Sequence, residues 1–240
     1  MAGQHAAGSI PLRDRLIIAL DVESADEARS IVRSLGDAAT FYKIGLGLLY
    51  RGGIELAKEL KKEGRRVFLD AKIWDIGATT SAAVQSVAEL GMDFLTVHGT
   101  KETLRDAVKG RGSHPLKLLA ITVLTSTNDS DLQQMGYAVS VENMAMHQAR
   151  AALEAGFDGV ITSGLEAAMI RAAVGAKLLI VTPGIRSAGI GTDEQKRVAT
   201  PEGAIKAGAD HIVMGRQILR AANRQDEAKR VLDAIASALV

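Results

Sequence analysis

Short apolar runs rich in Val, Ile and Leu alternate along the chain with stretches whose apolar residues recur every three or four positions. The runs are Leu16–Asp21, Thr40–Ile44, Arg66–Lys72, Asp93–Val97, Leu118–Val123, Gly159–Thr162, Lys177–Thr182 and His211–Gly215. Their length and β-branched content predict strands, and the stretches between them predict amphipathic helices. Ser24 with Glu27 reads as a capping box opening a helix that ends near Gly36. Further helices are expected over about 53–63, 79–90, 101–109, 140–155, 165–174 and 201–207, and from Ile218 onward. A longer connection runs from Leu124 to Tyr137, and the Gly-rich segment from Pro183 to Lys196 reads as a loop long enough to act as a lid.

Eight strand–helix repeats predict an α/β fold, a (β/α)8 TIM barrel. An open doubly wound sheet would carry a glycine-rich fingerprint after its first strand, and Asp21-Val-Glu-Ser24 is not glycine-rich. A chain of 240 residues suits one such barrel. Residues 12–240 are assigned to a single barrel domain, and residues 1–11, which are small, polar and Gly/Ala-rich, to a flexible N-terminal tail. The tail lacks the apolar core of a signal peptide, and no apolar run approaches the ~20 residues of a membrane span. A cytoplasmic location with no membrane partner is expected.

Composition removes several classes of function. A net charge of +1 offers no basic surface for nucleic acid, and an aromatic content of 3% offers no base-stacking platform. The chain has no cysteine, which removes disulfides, thiolate metal sites and cysteine nucleophiles. His98 follows the fourth strand without a second histidine or acid at ligand spacing, so no metal site is expected. No cofactor motif is found.

In a barrel of this kind catalytic groups sit at the C-terminal ends of strands. Asp21 ends the first run, Lys43 falls late in the second, and Asp70 and Lys72 end the third, with Asp75 just beyond. Side chains alternate along a strand, so Asp70 and Lys72 share a face that projects into the barrel mouth, while Val67, Leu69 and Ala71 take the other. On spacing alone an Asp-x-Lys pair is commonly a plain ion pair. Two lysines and two aspartates gathered at one mouth ask for a function, because desolvating several charges is expensive. A second group lies near the C-terminus: Gly184, Gly189 and Gly191 around Arg186, and Gly215-Arg216 after the eighth strand. Loops after strands seven and eight are the usual phosphate site of barrels, and an arginine there adds a bidentate contact.

These residues, in this order, resemble the orotidine 5'-phosphate decarboxylase family. The resemblance rests on Phe68-Leu-Asp-Ala-Lys-Ile-Trp-Asp-Ile76, Ala19-Leu-Asp21, Tyr42-Lys-Ile-Gly45, Val97-His98 and Val123-Leu-Thr-Ser126. Val181-Thr-Pro-Gly-Ile-Arg186, Asp193-Glu-Gln-Lys-Arg197 and Val213-Met-Gly-Arg216 complete it, and it spans about residues 14–235. It implies that Lys43, Asp70, Lys72 and Asp75 form a catalytic charged tetrad, with Asp75 reaching the partner subunit's site in a homodimer. It implies substrate contacts from Asp21 to the ribose and from Thr125 or Ser126 to the pyrimidine. Pro183, Arg186, Gln195, Gly215 and Arg216 are implied at the phosphate, and Ile76 and Thr79 beside the tetrad across the interface. The family usually has Pro-Asn-Thr after its Asp-Ile; this chain has Gly77-Ala78-Thr79.

The implied reaction is cofactor-independent decarboxylation of orotidine 5'-monophosphate to UMP. Two other readings remain open from the sequence. One is a Mg-dependent keto-sugar-phosphate decarboxylase or aldolase, which shares Asp-x-Lys-x-x-Asp. The other is a catalytically silent nucleotide-binding barrel.

Overall fold

The computed structural model describes residues 10–187 and 199–240. Eight parallel strands close into a barrel in sequence order, each beside its chain neighbour and the eighth beside the first. They are β1 Leu16–Ala19, β2 Phe41–Gly45, β3 Arg66–Ile73, β4 Phe94–Val97, β5 Lys117–Ile121, β6 Gly159–Ile161, β7 Leu179–Thr182 and β8 His211–Met214. The strands match the eight apolar runs to within two residues at each end. Among the described residues no helix is long and apolar enough to cross a membrane.

Alternation along each strand divides the core into two layers. Ile17, Phe41, Phe68, Phe94, Leu119 and Val213 fill the barrel interior. Their neighbours, such as Ile18, Tyr42, Leu69 and Leu95, pack outward under the helices. The barrel is thus plugged by aromatic rings: Phe94 meets Phe41 and Phe68 edge-on at 5.0 and 5.9 Å. Polar side chains in the inward rows can collect only above this plug, at the C-terminal mouth, or below it.

Helix starts follow local chemistry. Ser24 caps Ala25–Leu35 by accepting from the Glu27 N–H, but Glu27 reaches back to the Glu23 N–H rather than to that of Ser24, so the expected box is only half made. A complete box forms at Asn128 and Asp131, and it heads helix Asp129–Gln134 inside the connection after β5 that the pattern reads as unstructured. Six residues are too few for periodicity to register.

The floor of the barrel carries its own polar cluster. Arg66 stacks over the Phe41 ring at 4.3 Å and pairs with Asp14 at 3.0 Å. Beside it, buried His211 donates from Nδ1 to the Asp14 carbonyl at 2.7 Å. Burial pushes its pKa down to about 4. The unfolded chain therefore binds a proton, between the ordinary histidine value of ~6.5 and about pH 4, that the folded chain refuses. This contribution is intact above pH ~6.5 and is lost on acidification, up to about 3 kcal/mol in all. Urea unfolding between pH 7 and 4.5 should show a steeper loss of stability in the native protein than in His211→Gln. Parallel slopes would mean that His211 is not held neutral.

Candidate active site

One cavity of about 590 Å³ opens at the C-terminal mouth of the barrel, within the range of small-molecule sites. Its charged wall is a chain of four side chains. Asp21, two residues past β1, lies 3.1 Å from Lys43 Nζ. Lys43 Nζ lies 3.2 Å from Asp70 Oδ2, and Asp70 Oδ1 lies 2.8 Å from Lys72 Nζ. β2 and β3 pair in register, Lys43 beside Phe68 and Gly45 beside Asp70, which sets the two strands' charges at neighbouring heights. Gly45 leaves room for the first pair: a Cβ there would sit 3.0 Å from Lys43 Nζ and 3.1 Å from Asp21 Oδ1.

The charges hold one another ionised. Burial pulls buried Lys43 toward neutrality, but Asp70 and Asp21 together outweigh it and hold its pKa above the ordinary lysine value. Burial likewise opposes the Asp70 carboxylate, and the ammonium groups of Lys43 and Lys72 outweigh it, keeping its pKa below the usual carboxylate range.

Asp70 and Lys72 do share the inward face, as alternation requires, but β3 reaches Lys72 through an irregularity. Leu69 pairs with Leu95 and Ile73 with Val97, so four steps on β3 answer two on β4. Within this bulge Lys72 has φ 49°, the only positive φ at a non-glycine among the described residues. Such a conformation costs ~1–2 kcal/mol for a residue with a Cβ. Thr96 of β4, which the sequence reading passed over, accepts from the Lys72 N–H at 3.0 Å and donates to Asp70 Oδ1 at 2.9 Å. A polar residue in the inward row of a barrel strand is the signal that would have found it.

The opposite end of the cavity suits an anion. Pro183 and Arg186 after β7 line it with Gly215 and Arg216 after β8. Arg216 opens the helical turn Arg216–Leu219 with Gly215 as its N-cap. Gln217 ties the two loops together, accepting from the Ser187 N–H at 2.9 Å and donating to Ser187 Oγ at 2.7 Å. Arg220 also lines this end and was not anticipated. Thr125, after β5, lines the cavity, while Ser126 is exposed and does not. Gln195, Gly189 and Gly191 lie outside the described residues.

Asp75, Ile76 and Thr79 stand apart from the cavity within one subunit. All three are exposed. Asp75 Oδ1 accepts from the Ile76 N–H at 2.7 Å, and its carbonyl accepts from Thr80 Oγ1 at 2.9 Å, which pins the turn into helix Gly77–Glu89. On either side of Asp75, Trp74 is 62% and Ile76 75% exposed, an uncovered apolar surface at the rim of the site. Trp74 rests edge-on against His98 at 4.9 Å.

The model of the Orotidine 5'-phosphate decarboxylase / HUMPS family matches residues 14–231. The chain belongs to this family. An orotidine 5'-phosphate decarboxylase of Methylobacterium sp. strain 4-46 is 51% identical over 229 residues, covering 94% of this chain and 97% of that one. The same-named protein of Nitrobacter winogradskyi is 48% identical over 239 residues, covering 100% and 99%. The crystal structure of orotidine 5'-phosphate decarboxylase from Lactobacillus acidophilus superposes with a TM-score of 0.83 at 33% identity, covering 92% of this chain and 99% of that one.

Gly77 stands where the family resemblance leads one to expect a proline, and the Asp106 side chain occupies the space that a Cβ there would need. A Cβ at Gly77 would lie 2.1 Å from Asp106 Oδ2, on the helix Lys101–Arg111 packed alongside. Asp106 in turn is held by Lys109 at 2.6 Å. Gly77→Ala should lower stability by about 1 kcal/mol in urea unfolding, although alanine is the better helix former by ~0.5–1 kcal/mol. In an Asp106→Ala background the same change should be neutral or stabilising. An equal cost in both backgrounds would show that Asp106 does not dictate the glycine.

Proposed function

We propose that this protein is a carboxy-lyase that converts orotidine 5'-monophosphate to UMP and CO2 in pyrimidine biosynthesis, without a cofactor. The observation that carries the reading is the Asp21–Lys43–Asp70–Lys72 chain at one end of a nucleotide-sized cavity whose other end holds Arg186 and Arg216. The family and the names of its relatives agree with it.

Breaking the C6–carboxylate bond leaves its electron pair on C6, in the ring plane, where π delocalisation cannot reach it. Fixed charge must stabilise it. The Lys72 ammonium supplies that charge, then donates a proton to C6, leaving UMP; Lys72 regains its proton from solvent. Asp70 holds Lys72 and lies beside the departing carboxylate, so its repulsion of that group falls as CO2 leaves. Lys43 and Asp21 complete the array, and Asp21 takes the ribose. Thr125 meets the pyrimidine. Pro183, Arg186, Gln195, Gly215 and Arg216 take the phosphate, whose binding energy offsets the cost of ordering and desolvating the site.

The same reading makes the protein a cytoplasmic homodimer. Asp75 is not among the residues that line the cavity within a subunit, and it sits between exposed Trp74 and Ile76. A second copy covering those apolar side chains would bring its own Asp75, Ile76 and Thr79 to this cavity. The Mg-dependent keto-sugar-phosphate alternative is disfavoured because Asp70 and Asp21 are both turned to ammonium groups.

Loss of orotidylate ultraviolet absorbance on adding the enzyme tests the reading. Turnover should survive a chelator and fall by at least ~10³-fold in Lys72→Ala, which removes both charge and proton donor. Mixing Lys72→Ala with Asp75→Asn should restore turnover that neither shows alone, through hybrid dimers with one intact site. Near-native activity of Lys72→Ala would refute the chemistry, and no restoration in the mixture would refute the shared site.

A further inference from the structure

The catalytic strand departs from regular geometry at the two residues on which the chemistry rests. Above Leu69, β3 carries two residues more than β4 can pair with, and Asp70 and Lys72 fall in that surplus. Within this surplus the Lys72 N–H donates to a side chain of β4, the Thr96 hydroxyl, at 3.0 Å. The Lys72 backbone turns to φ 49°, a region that a residue with a Cβ occupies only where its surroundings over-determine it.

Thr96 does this. Its side chain is inaccessible to solvent, so the hydroxyl cannot exchange its partners for water. The Lys72 N–H can only donate, and the ionised Asp70 carboxylate can only accept. Thr96 Oγ1 lies 3.0 Å from the first and 2.9 Å from the second, so the direction of its own proton is fixed: it points at Asp70 Oδ1. That oxygen is the one that also receives Lys72 Nζ at 2.8 Å. Backbone, carboxylate and ammonium of the β3 bulge are thus closed into one ring through a single side chain of the next strand. Phe94, two residues earlier on the same inward row, is buried in the aromatic plug and gives Thr96 a rigid base.

We propose that Thr96 is a positioning residue for the decarboxylation: its hydroxyl locks the left-handed backbone at Lys72 to the Asp70 carboxylate and so fixes the direction of both charges. The inference rests on the reaction proposed above. Without the hydroxyl, a part-buried N–H loses its acceptor and Asp70 loses its neutral donor. Asp70 is then free to swing toward Lys43, and Lys72 to relax toward extended backbone. Displacements of about 1 Å at a reacting group cost on the order of 10²-fold in rate. Thr96 does not reach the anion end of the cavity, so binding there is unaffected.

The test compares Thr96→Val, which keeps the shape without the hydroxyl, with Thr96→Ser, which keeps the hydroxyl. In the full-length enzyme Thr96→Val should lower kcat about 30- to 100-fold, while KM for orotidine 5'-monophosphate and the affinity for UMP stay within about threefold. Thr96→Ser should retain kcat within about fivefold. A residue that serves packing alone would give the reverse order, because valine fills the space better than serine. If Thr96→Val fails to fold by circular dichroism, Thr96→Ala takes its place against Thr96→Ser, and equal kcat in that pair overturns the proposal. Native kcat in a folded Thr96→Val, or a loss confined to KM, also overturns it. If the unaltered enzyme itself does not consume orotidylate, the reaction reading fails and the inference falls with it; turnover by the unaltered enzyme and Thr96→Val alike defeats the inference alone.

Discussion

Asp70 carries two ammonium groups on one carboxylate, Lys43 at 3.2 Å and Lys72 at 2.8 Å, in a place where water scarcely reaches it. Taking such a carboxylate out of water costs several kcal/mol. At an effective dielectric constant of about 20, one unit charge near 3 Å returns on the order of 5 kcal/mol. Two opposite charges therefore decide the sign, and the group stays ionised. Lys43, with Asp70 on one side and Asp21 on the other, stays charged for the same reason. The array is stable as a whole, and removing Asp70 takes one of two partners from Lys43 and the facing carboxylate from Lys72.

Most of the surrounding structure can be understood as holding this array still. The aromatic plug below it keeps the barrel interior closed, so the charges have only the mouth to occupy. Register between β2 and β3 sets Asp70 beside Gly45, two residues above Lys43, within reach of its ammonium, and the missing side chain of Gly45 leaves room for Asp21. The anion end lies on the other side of the cavity, built from the β7 and β8 loops and joined through Gln217. A ligand must span both ends, so its charged tail can be gripped by groups that take no part in bond breaking. In the proposed reaction this separation lets binding energy from the phosphate act against the cost of placing a carboxylate beside Asp70.

The barrel was legible because eight apolar runs at regular intervals leave few other ways to bury their faces. Asp70 and Lys72 were legible as a pair because parity along a strand is a local property. The bulge between them was not, since it arises only from how β3 pairs with β4, and nothing in Leu69–Ile73 alone records the register of Leu95–Val97. Thr96 was missed for the same reason: its importance lies in what faces it. Gly77 was visible only as a departure from the family's pattern, and its cause, Asp106, lies 29 positions further along the chain on the next helix. The helix Asp129–Gln134 escaped notice because it is short, and its Asn128 cap was the available signal. The roles proposed for Asp75, Ile76 and Thr79 rest on a second subunit, which no pattern within one chain can supply.

The proposed chemistry requires the array to be charged before any substrate arrives. A 13C titration of the Asp70 carboxyl in the ligand-free protein measures this without recourse to activity. A charged array requires the resonance to titrate below the ordinary aspartate value of 3.8, in step with the two ammonium groups that outweigh burial. An Asp70 that titrates above that value would mean that burial wins, and that the fixed charge assigned to the site is not there.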